Sequence, residues 1–504
     1  MDELMSLSSV SMSLLPLRND TLTAMPPMVS VPQYDRSKLT PGIVHIGVGN
    51  FHRAHFAWYL HRLMQDGKAM DWGIVGAGVM SNDRIMREKL LAQDGLTTLI
   101  ELDPKGKPAI EITGSMIDYL PVEDGNSALI KMMAKPEIKI VSLTVTESGY
   151  FIDPKTNGLD INHPDIQHDA QYPDAPKTAF GAMVEALRLR QSAGHPPFTG
   201  LCCDNLRGNG DILKQTIVGL ARLSDPSLAD WIDQHCAFPN SMVDCIVPAT
   251  GASELAQVQA IGIDDHAPVT HEPFRQWVIE DTFCNGRPEW ELVGAEFSDV
   301  VHLHEAQKIR VLNGGHQVLA NVAEVMGVGT IAEAVAHPLI HAMFVKVQTE
   351  EIIPHVHPLS GMSVGEYLKL IDQRFANTAI VDTVRRVAFD GAARHIGFIL
   401  PTIRDGLKAG VSVEGLALVE AAWARMCLGT RDDGSVIEAN DPSWARLTEQ
   451  AQAAKEQPLA WLEMDDIYGD LIHDNRFADA FNNWLSRIYT DGMEAALRHY
   501  TGQD

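Results

Sequence analysis

The sequence predicts an α/β protein built in two parts, a doubly wound parallel sheet followed by an almost entirely helical domain. Three observations carry this. Short β-branched runs alternate with helical stretches to about residue 290, an order that folds into a parallel sheet covered on both faces. From about Leu303 onward, long alanine- and leucine-rich amphipathic segments follow one another instead: 305–326, 330–352, 364–373, 378–388, 412–428, 442–455 and 475–498. A chain of 504 residues also exceeds one ordinary domain. The expected division is an N-terminal extension over 1–35, loosely ordered to about residue 30, a sheet domain over 36–298 and a helical domain over 299–504.

Composition narrows the function. Hydrophobic residues make up 45% and charged residues 21%, the profile of a soluble globular protein. The net charge of −26 repels nucleic acid and anionic membranes, so neither is an expected partner. The cysteines Cys202, Cys203, Cys236, Cys245, Cys284 and Cys427 form no CxxC pair, which leaves no zinc-ribbon or redox signature and fits a reducing, cytoplasmic setting. No apolar run reaches the ~18 residues of a membrane span. Asp2 and Glu3 stand where a secretory leader would be basic.

In chain order, Ile43-Val44-His45-Ile46 reads as a buried strand. It feeds Gly47-Val48-Gly49, then Asn50-Phe51-His52-Arg53-Ala54-His55 and a helix to about Met64. A strand, a glycine turn and a helix start make a phosphate site, because glycine lets the backbone approach a pyrophosphate and the helix end favours negative charge. His52 occupies the third glycine position, so a plain tight turn stays open as the alternative. The second run, Trp72 to Val79, ends in Ser81-Asn82-Asp83. An acidic residue there takes the ribose hydroxyl in dinucleotide folds. Asp83 lies 34 residues past Gly49, against the usual ~20, which a longer first helix would explain. In that role Asp83 would repel a 2′-phosphate and favour NAD over NADP; otherwise it is a helix N-cap before Arg84. Gly76-Ala77-Gly78 is a rival turn without the following arginine. Further strands are expected at Thr97–Leu102, at Ile138–Thr146 ending in Glu147, and at Phe198–Cys203 followed by Asp204-Asn205 and a helix to about Leu223.

The helical domain opens on Glu305 to His316, EAQKIRVLNGGH. At roughly 100° per residue, with Lys308 at 0°, Glu305 falls near ~60°, His316 near ~80° and Asn313 near ~140°. Ile309, Leu312 and Leu319 share that sector, and Val311 and Val318 lie opposite, so the helix is apolar nearly all round and internal. A buried Glu305–Lys308 salt bridge is one reading. The other is a general base: a desolvated lysine loses its proton more easily, and amide and imidazole donors beside it can hold an oxyanion. No metal is expected, since His316 follows two glycines without a neighbouring ligand set. The alternating His302/His304 and His355/His357 pairs read as surface or internally satisfied.

Taken together, Gly47-x-Gly49-x-Phe51-His52-Arg53-x-His55, Thr146-Glu147, Asp204-Asn205 and Lys308-x4-Asn313-x2-His316 resemble the polyol-specific long-chain dehydrogenases, the mannitol dehydrogenase family. The resemblance runs from about residue 36 to the C-terminal helices. It implies a Rossmann-like domain, a monomer and zinc-free hydride transfer between a polyol and NAD. In the family pattern Lys308 is the general base and Asn205 and Asn313 hold the alkoxide. His316 places the substrate, and Glu305 passes the proton to solvent. Gly47 to Arg53, Asp83 and Glu147 would serve the cofactor. Phe238 to Pro248 is similar to the family signature, with Asp244 as a substrate contact and Cys245 where arginine is usual. Arg386 and Arg394 match further substrate-side cations, the second more typically lysine. The expected reaction is oxidation of D-mannitol, or a related hexitol or pentitol, to its ketose. A fructuronate or tagaturonate reductase is the alternative within the family, and an NAD-binding regulator without turnover the alternative outside it.

Overall fold

A computed structural model describes residues 14–503 apart from Lys105, Pro154, Lys155, Asn157 and Ser360; for Glu147 and Ser148 it describes the backbone alone. The chain divides into two compact units, Met1–His302 and Leu303–Asp504.

The first unit is organised by a sheet of five strands: β1 (Pro41–Ile46), β2 (Gly73–Ala77), β3 (Met116–Tyr119), β4 (Ile140–Leu143) and β5 (Thr199–Cys202). They lie in the order β3-β2-β1-β4-β5, and every neighbouring pair is parallel. Apart from β3, which exposes Asp118, the strands are buried on both faces, as a sheet flanked by helices must be. Alternation along them divides two cores. Val44, Ile46, Val75, Val141 and Leu143 join the core of helices Ala179–Ala193 and Asn209–Ser224. Ile43, Ile74, Ile140 and Leu201 join that of helix Phe56–Gln65. Thr178 starts the first of these helices by accepting from Gly181 N, and Gly194, at φ 69°, ends it. The order reverses between β1 and β4, and ligands in such sheets bind beyond the strand C-termini at that switch.

Two expectations need correction here. Thr97–Glu101 does not join the parallel sheet; it pairs antiparallel with Ala109–Thr113 in a separate four-stranded sheet. The strand next to β2 is β3, whose sequence Met-Ile-Asp-Tyr gives no alternating signal. The chain before residue 36 is not loose from Leu14 onward. Leu15–Pro16 pairs with Ile263–Asp264 and Val29–Ser30 with Ile110–Glu111. Leu17, Met25 and Val29 are buried with Leu96, Ile112 and Val258, and that burial offsets the entropy of ordering the segment. Residues 1–13 lie outside the described residues.

The second unit is helical, with no strand among its described residues beyond isolated bridges. Helix Glu414–Met426 is buried along almost its whole length, packed by Gly314–Val325 and Asn475–Asp491. Trp423 stacks on His395 at 4.3 Å and meets the edge of Trp461 at 5.0 Å. The expected helix 330–352 is broken at Pro338, which starts a new helix because it lacks an N–H to continue the old one. The expected helix 475–498 breaks at Gly492, φ 86°. Among the described residues no helix is long and apolar enough to cross a membrane.

Candidate active site

In the first unit the loops after β1, β2, β4 and β5 carry the sequence-predicted residues. Gly47 leaves β1 at φ 93°, and a Cβ there would stand 2.1 Å from the Thr144 carbonyl oxygen, so only glycine fits. Gly49 has nothing within 4 Å of its would-be Cβ. This clear space above a tight turn fits the backbone approach a dinucleotide pyrophosphate needs. Val48 is buried beneath the turn. Asn50 Nδ2 donates to the Pro248 carbonyl and to Thr250 Oγ1, both at 2.9 Å. Arg53 is 1% exposed. Its guanidinium donates to Asn50 Oδ1 and to the carbonyls of Gly49 and Ala267, so it holds the turn from within. Burial brings its pKa down to about 10. Phe51 stacks on His55 at 4.7 Å. His52 stacks on His45 at 3.4 Å, with neither ring nitrogen hydrogen-bonded.

Asp83 opens helix Asp83–Ala92 just past β2, where its Oδ2 accepts from Met80 N at 2.8 Å. A Cβ on Gly78 would stand 2.4 Å from that carboxylate, so the glycine of the rival turn makes room for Asp83. The backbone of Glu147 lies in the turn Glu147–Tyr150 after β4; its side chain is outside what is described. Thr146, just before, has φ 71°, a strained state for a β-branched residue that concentrates at functional sites. Asp204 accepts from Val145 N and Thr146 N at 3.0 and 3.1 Å, and from Tyr150 Oη at 2.7 Å. It therefore ties the β4 loop to the β5 loop, where Asn205 is exposed. Asn209 Nδ2 donates to the carbonyls of Cys202, Asp204 and Ser241, fixing the turn of Asn205 against strand Ser241–Asp244. Asp244 ends that strand, buried.

The helix that carries Lys308 and opens the second unit is not one regular α-helix. Val301–Gln307 is α-helical, Lys308–Asn313 is a π-helical turn and Gly314–Val325 is α-helical again. Gly314 N reaches the Ile309 carbonyl, five residues back. The angles assigned on a 3.6-residue wheel therefore do not hold past Lys308, since a π turn absorbs one extra residue and every later position falls roughly 100° short of its place on that wheel. Burial does follow expectation: Glu305, Lys308 and His316 are 7%, 7% and 8% exposed. Asn313 is half-buried.

His316 stacks on Phe375 at 4.2 Å. Its Nε2 lies 3.7 Å from Asp382 Oδ2 and makes no hydrogen bond, so it is a buried polar atom suited to a ligand hydroxyl. Burial lowers its pKa to about 3; Asp382 opposes this and Arg386, Arg394 and Arg374 add to it. Asp382 also accepts two parallel hydrogen bonds from Arg386, both at 2.7 Å. Arg394 Nη1 donates to the Val387 carbonyl at 3.1 Å. Asp382 is not among the residues the sequence singles out; its only local signal is its place four residues before Arg386. Among the described residues no three His, Cys, Asp or Glu side chains are grouped to hold a metal ion.

These histidines set a pH dependence. His45, His271 and His316 each fall from 6.5 to about 3 through burial. The unfolded chain then binds protons that the native one does not, so their contribution is full above pH 6.5 and is lost as pH falls toward 3. Glu351, raised to about 7 by burial, acts in the opposite sense as pH rises between 4.5 and 7, and Glu101, also raised by burial, acts with it; His52, lowered by burial, adds to the other three histidines. The urea midpoint is expected to drop between pH 7 and pH 5; an unchanged midpoint would contradict the buried, neutral histidines.

Residues 41–292 match the Mannitol dehydrogenase Rossmann domain and residues 300–489 the Mannitol dehydrogenase C-terminal domain. A mannitol 2-dehydrogenase of Cereibacter sphaeroides is 52% identical over 472 residues, 94% of this chain and 98% of that protein. One from Pyricularia oryzae is 38% identical over 476 residues, covering 93% and 95%. Among solved structures, the Pseudomonas fluorescens mannitol 2-dehydrogenase ternary complex with NAD and D-mannitol gives a TM-score of 0.91 at 38% identity, covering 97% of this chain and 100% of that one. A substrate-free D-sorbitol dehydrogenase gives 0.85 at 34%, covering 96% and 100%.

Proposed function

Since the chain belongs to the mannitol dehydrogenase family, we propose that it oxidises D-mannitol, or a closely related polyol, to the 2-ketose with NAD. The observation that carries this is the buried set of Lys308 and His316, with half-buried Asn313, on one helix whose His316 Nε2 is left without a hydrogen bond. The Gly47–Gly49 turn, Asp83 and Glu147 would hold NAD, which when bound accepts the hydride from the carbinol carbon.

The chain's own part is the proton and the oxygen. Neutral Lys308 takes the hydroxyl proton. The side-chain amides of Asn205 and Asn313 donate to the oxygen as its charge develops, which is where fixed dipoles lower a barrier most. Neutral His316 hydrogen-bonds a substrate hydroxyl and sets the carbinol in register, and Glu305 passes the proton onward. Asp244 and the Arg386 and Arg394 side contact the remaining hydroxyls. Arg386 already shares its charge with Asp382 through two hydrogen bonds, which favours an uncharged polyol over a uronate needing a cationic partner. No step calls for a metal.

Initial rates with D-mannitol, arabinitol, sorbitol and fructuronate, each with NAD and NADP, test the reading. Activity on the uronate alone would reject it. The same panel tests Asp83. Its carboxylate takes one backbone N–H and its negative charge opposes a 2′-phosphate. Asp83→Ala is expected to raise kcat/KM with NADP about tenfold or more. A parent enzyme that already prefers NADP would remove Asp83 from that role.

A further inference from the structure

Three π-helical turns occur among the described residues of the second unit: Lys308–Asn313, Gln348–Ile352 and His395–Ile399. The second and third both pack against the first. Such turns are rare and poorly bonded, and they persist where something holds them. Gln348, the first residue of the second turn, is fully buried, and its Nε2 donates to the Val311 carbonyl at 2.8 Å. The amide reaches that carbonyl past Gly315, where a Cβ would stand 2.6 Å from Gln348 Nε2 and 3.1 Å from the Phe344 ring. The third turn closes on the neighbouring glycine, since a Cβ on Gly314 would stand 3.3 Å from the Phe398 carbonyl oxygen. Gly315 thus leaves room for the Gln348 amide, which an alanine there would push aside, and an alanine at Gly314 would need the Phe398 carbonyl to give way slightly, inside a helix where glycine otherwise costs stability.

We propose that Gln348 is a positioning residue whose carboxamide, admitted by Gly315, holds the π-helical turn and thereby sets the angle between Lys308 and His316. The inference rests on the reading of Lys308 as the base. The inserted residue rotates Asn313 and His316 relative to Lys308, and a relaxed α-helical turn would undo that rotation. Gln348 touches neither Lys308 nor His316 in any hydrogen bond; it acts through the backbone of Val311.

Gln348→Met keeps the side chain's length and removes the amide. Turnover of mannitol is expected to fall about 10- to 100-fold, because misplacing reacting groups is costly. KM and the NAD dissociation constant should stay within about twofold. A purely stabilising role would instead lower the folded fraction and leave kcat per folded molecule intact. Gly315→Ala by itself is expected to lower the yield of folded protein. Combining it with Gln348→Ala removes the nearest contact and leaves the 3.1 Å approach to the Phe344 ring, so folding should largely recover while turnover stays as low as in Gln348→Met. Either folded variant with kcat within about twofold of the parent overturns the proposal. Failure of both to fold overturns it too, by assigning Gln348 to stability. Lys308→Ala, measured alongside, separates the two ideas. An active Lys308→Ala defeats the base reading, whereas an inactive one beside a fast Gln348→Met defeats this inference alone.

Discussion

Lys308→Ala is expected to lower kcat for mannitol oxidation by about 10²- to 10⁴-fold, the range a positioned general base supplies. NAD binding should persist, because the glycine turn and Asp83 lie in the other unit. The alcohol's proton must leave as the carbon–oxygen bond gains double-bond character, and a buried amine can take it only in its neutral form. The loss should therefore appear in kcat and kcat/KM together, as for an interaction made in the transition state. A small primary amine added to the assay should restore part of the variant's rate. Titrating NAD by quenching of protein fluorescence separates this from misfolding. Turnover within about threefold of the parent would remove Lys308 as the base.

Asn205→Ala and Asn313→Ala are each expected to cost about 10²- to 10³-fold in kcat, the penalty for removing one donor from a developing oxyanion. Asn205 stands exposed on the turn after β5. Asn313 is the last residue of the π-helical turn. If both amides hold the same oxygen, the aspartate variants should be slower than the alanine ones, since a carboxylate donates nothing and repels the alkoxide. The loss should fall on kcat more than on KM. Stopped-flow single turnover isolates the chemical step from product release. An Asn205 variant with an unchanged single-turnover rate would leave Asn313 as the sole donor and break the two-amide scheme.

Much of the sheet could be read from the chain because burial on both faces leaves a continuous apolar run. β1, β2, β4 and β5 carry such runs, Ile-Val-His-Ile, Gly-Ile-Val-Gly-Ala, Ile-Val-Ser-Leu and Thr-Gly-Leu-Cys. β3 does not, because it exposes Asp118 and leaves Ile117 only half-buried. Thr97–Glu101 has a strand's composition, and nothing local to it says which sheet it will join. The short strands Leu15–Pro16 and Val29–Ser30 exist only through their partners, residues more than 80 positions away. The candidate site divides the same way. Gly47, Asp83 and the burial of Lys308 and His316 follow from local spacing. Asp204, Asn209 and Gln348 matter through hydrogen bonds to residues distant in sequence, and Asp382 through its approach to His316; spacing along a chain does not report such pairs.

The amino-acid order alone determined the buried central strands, most of the helical segments and which chemical groups are available, because propensity and periodicity are local properties. The tertiary structure alone decided the phase of the helix that carries Lys308. Whether residues 308–313 wind as α or π is a small energy difference, and it is resolved by contacts from Gln348 and from the turn at His395–Ile399. Those contacts come from segments some 35 to 90 residues further along the chain.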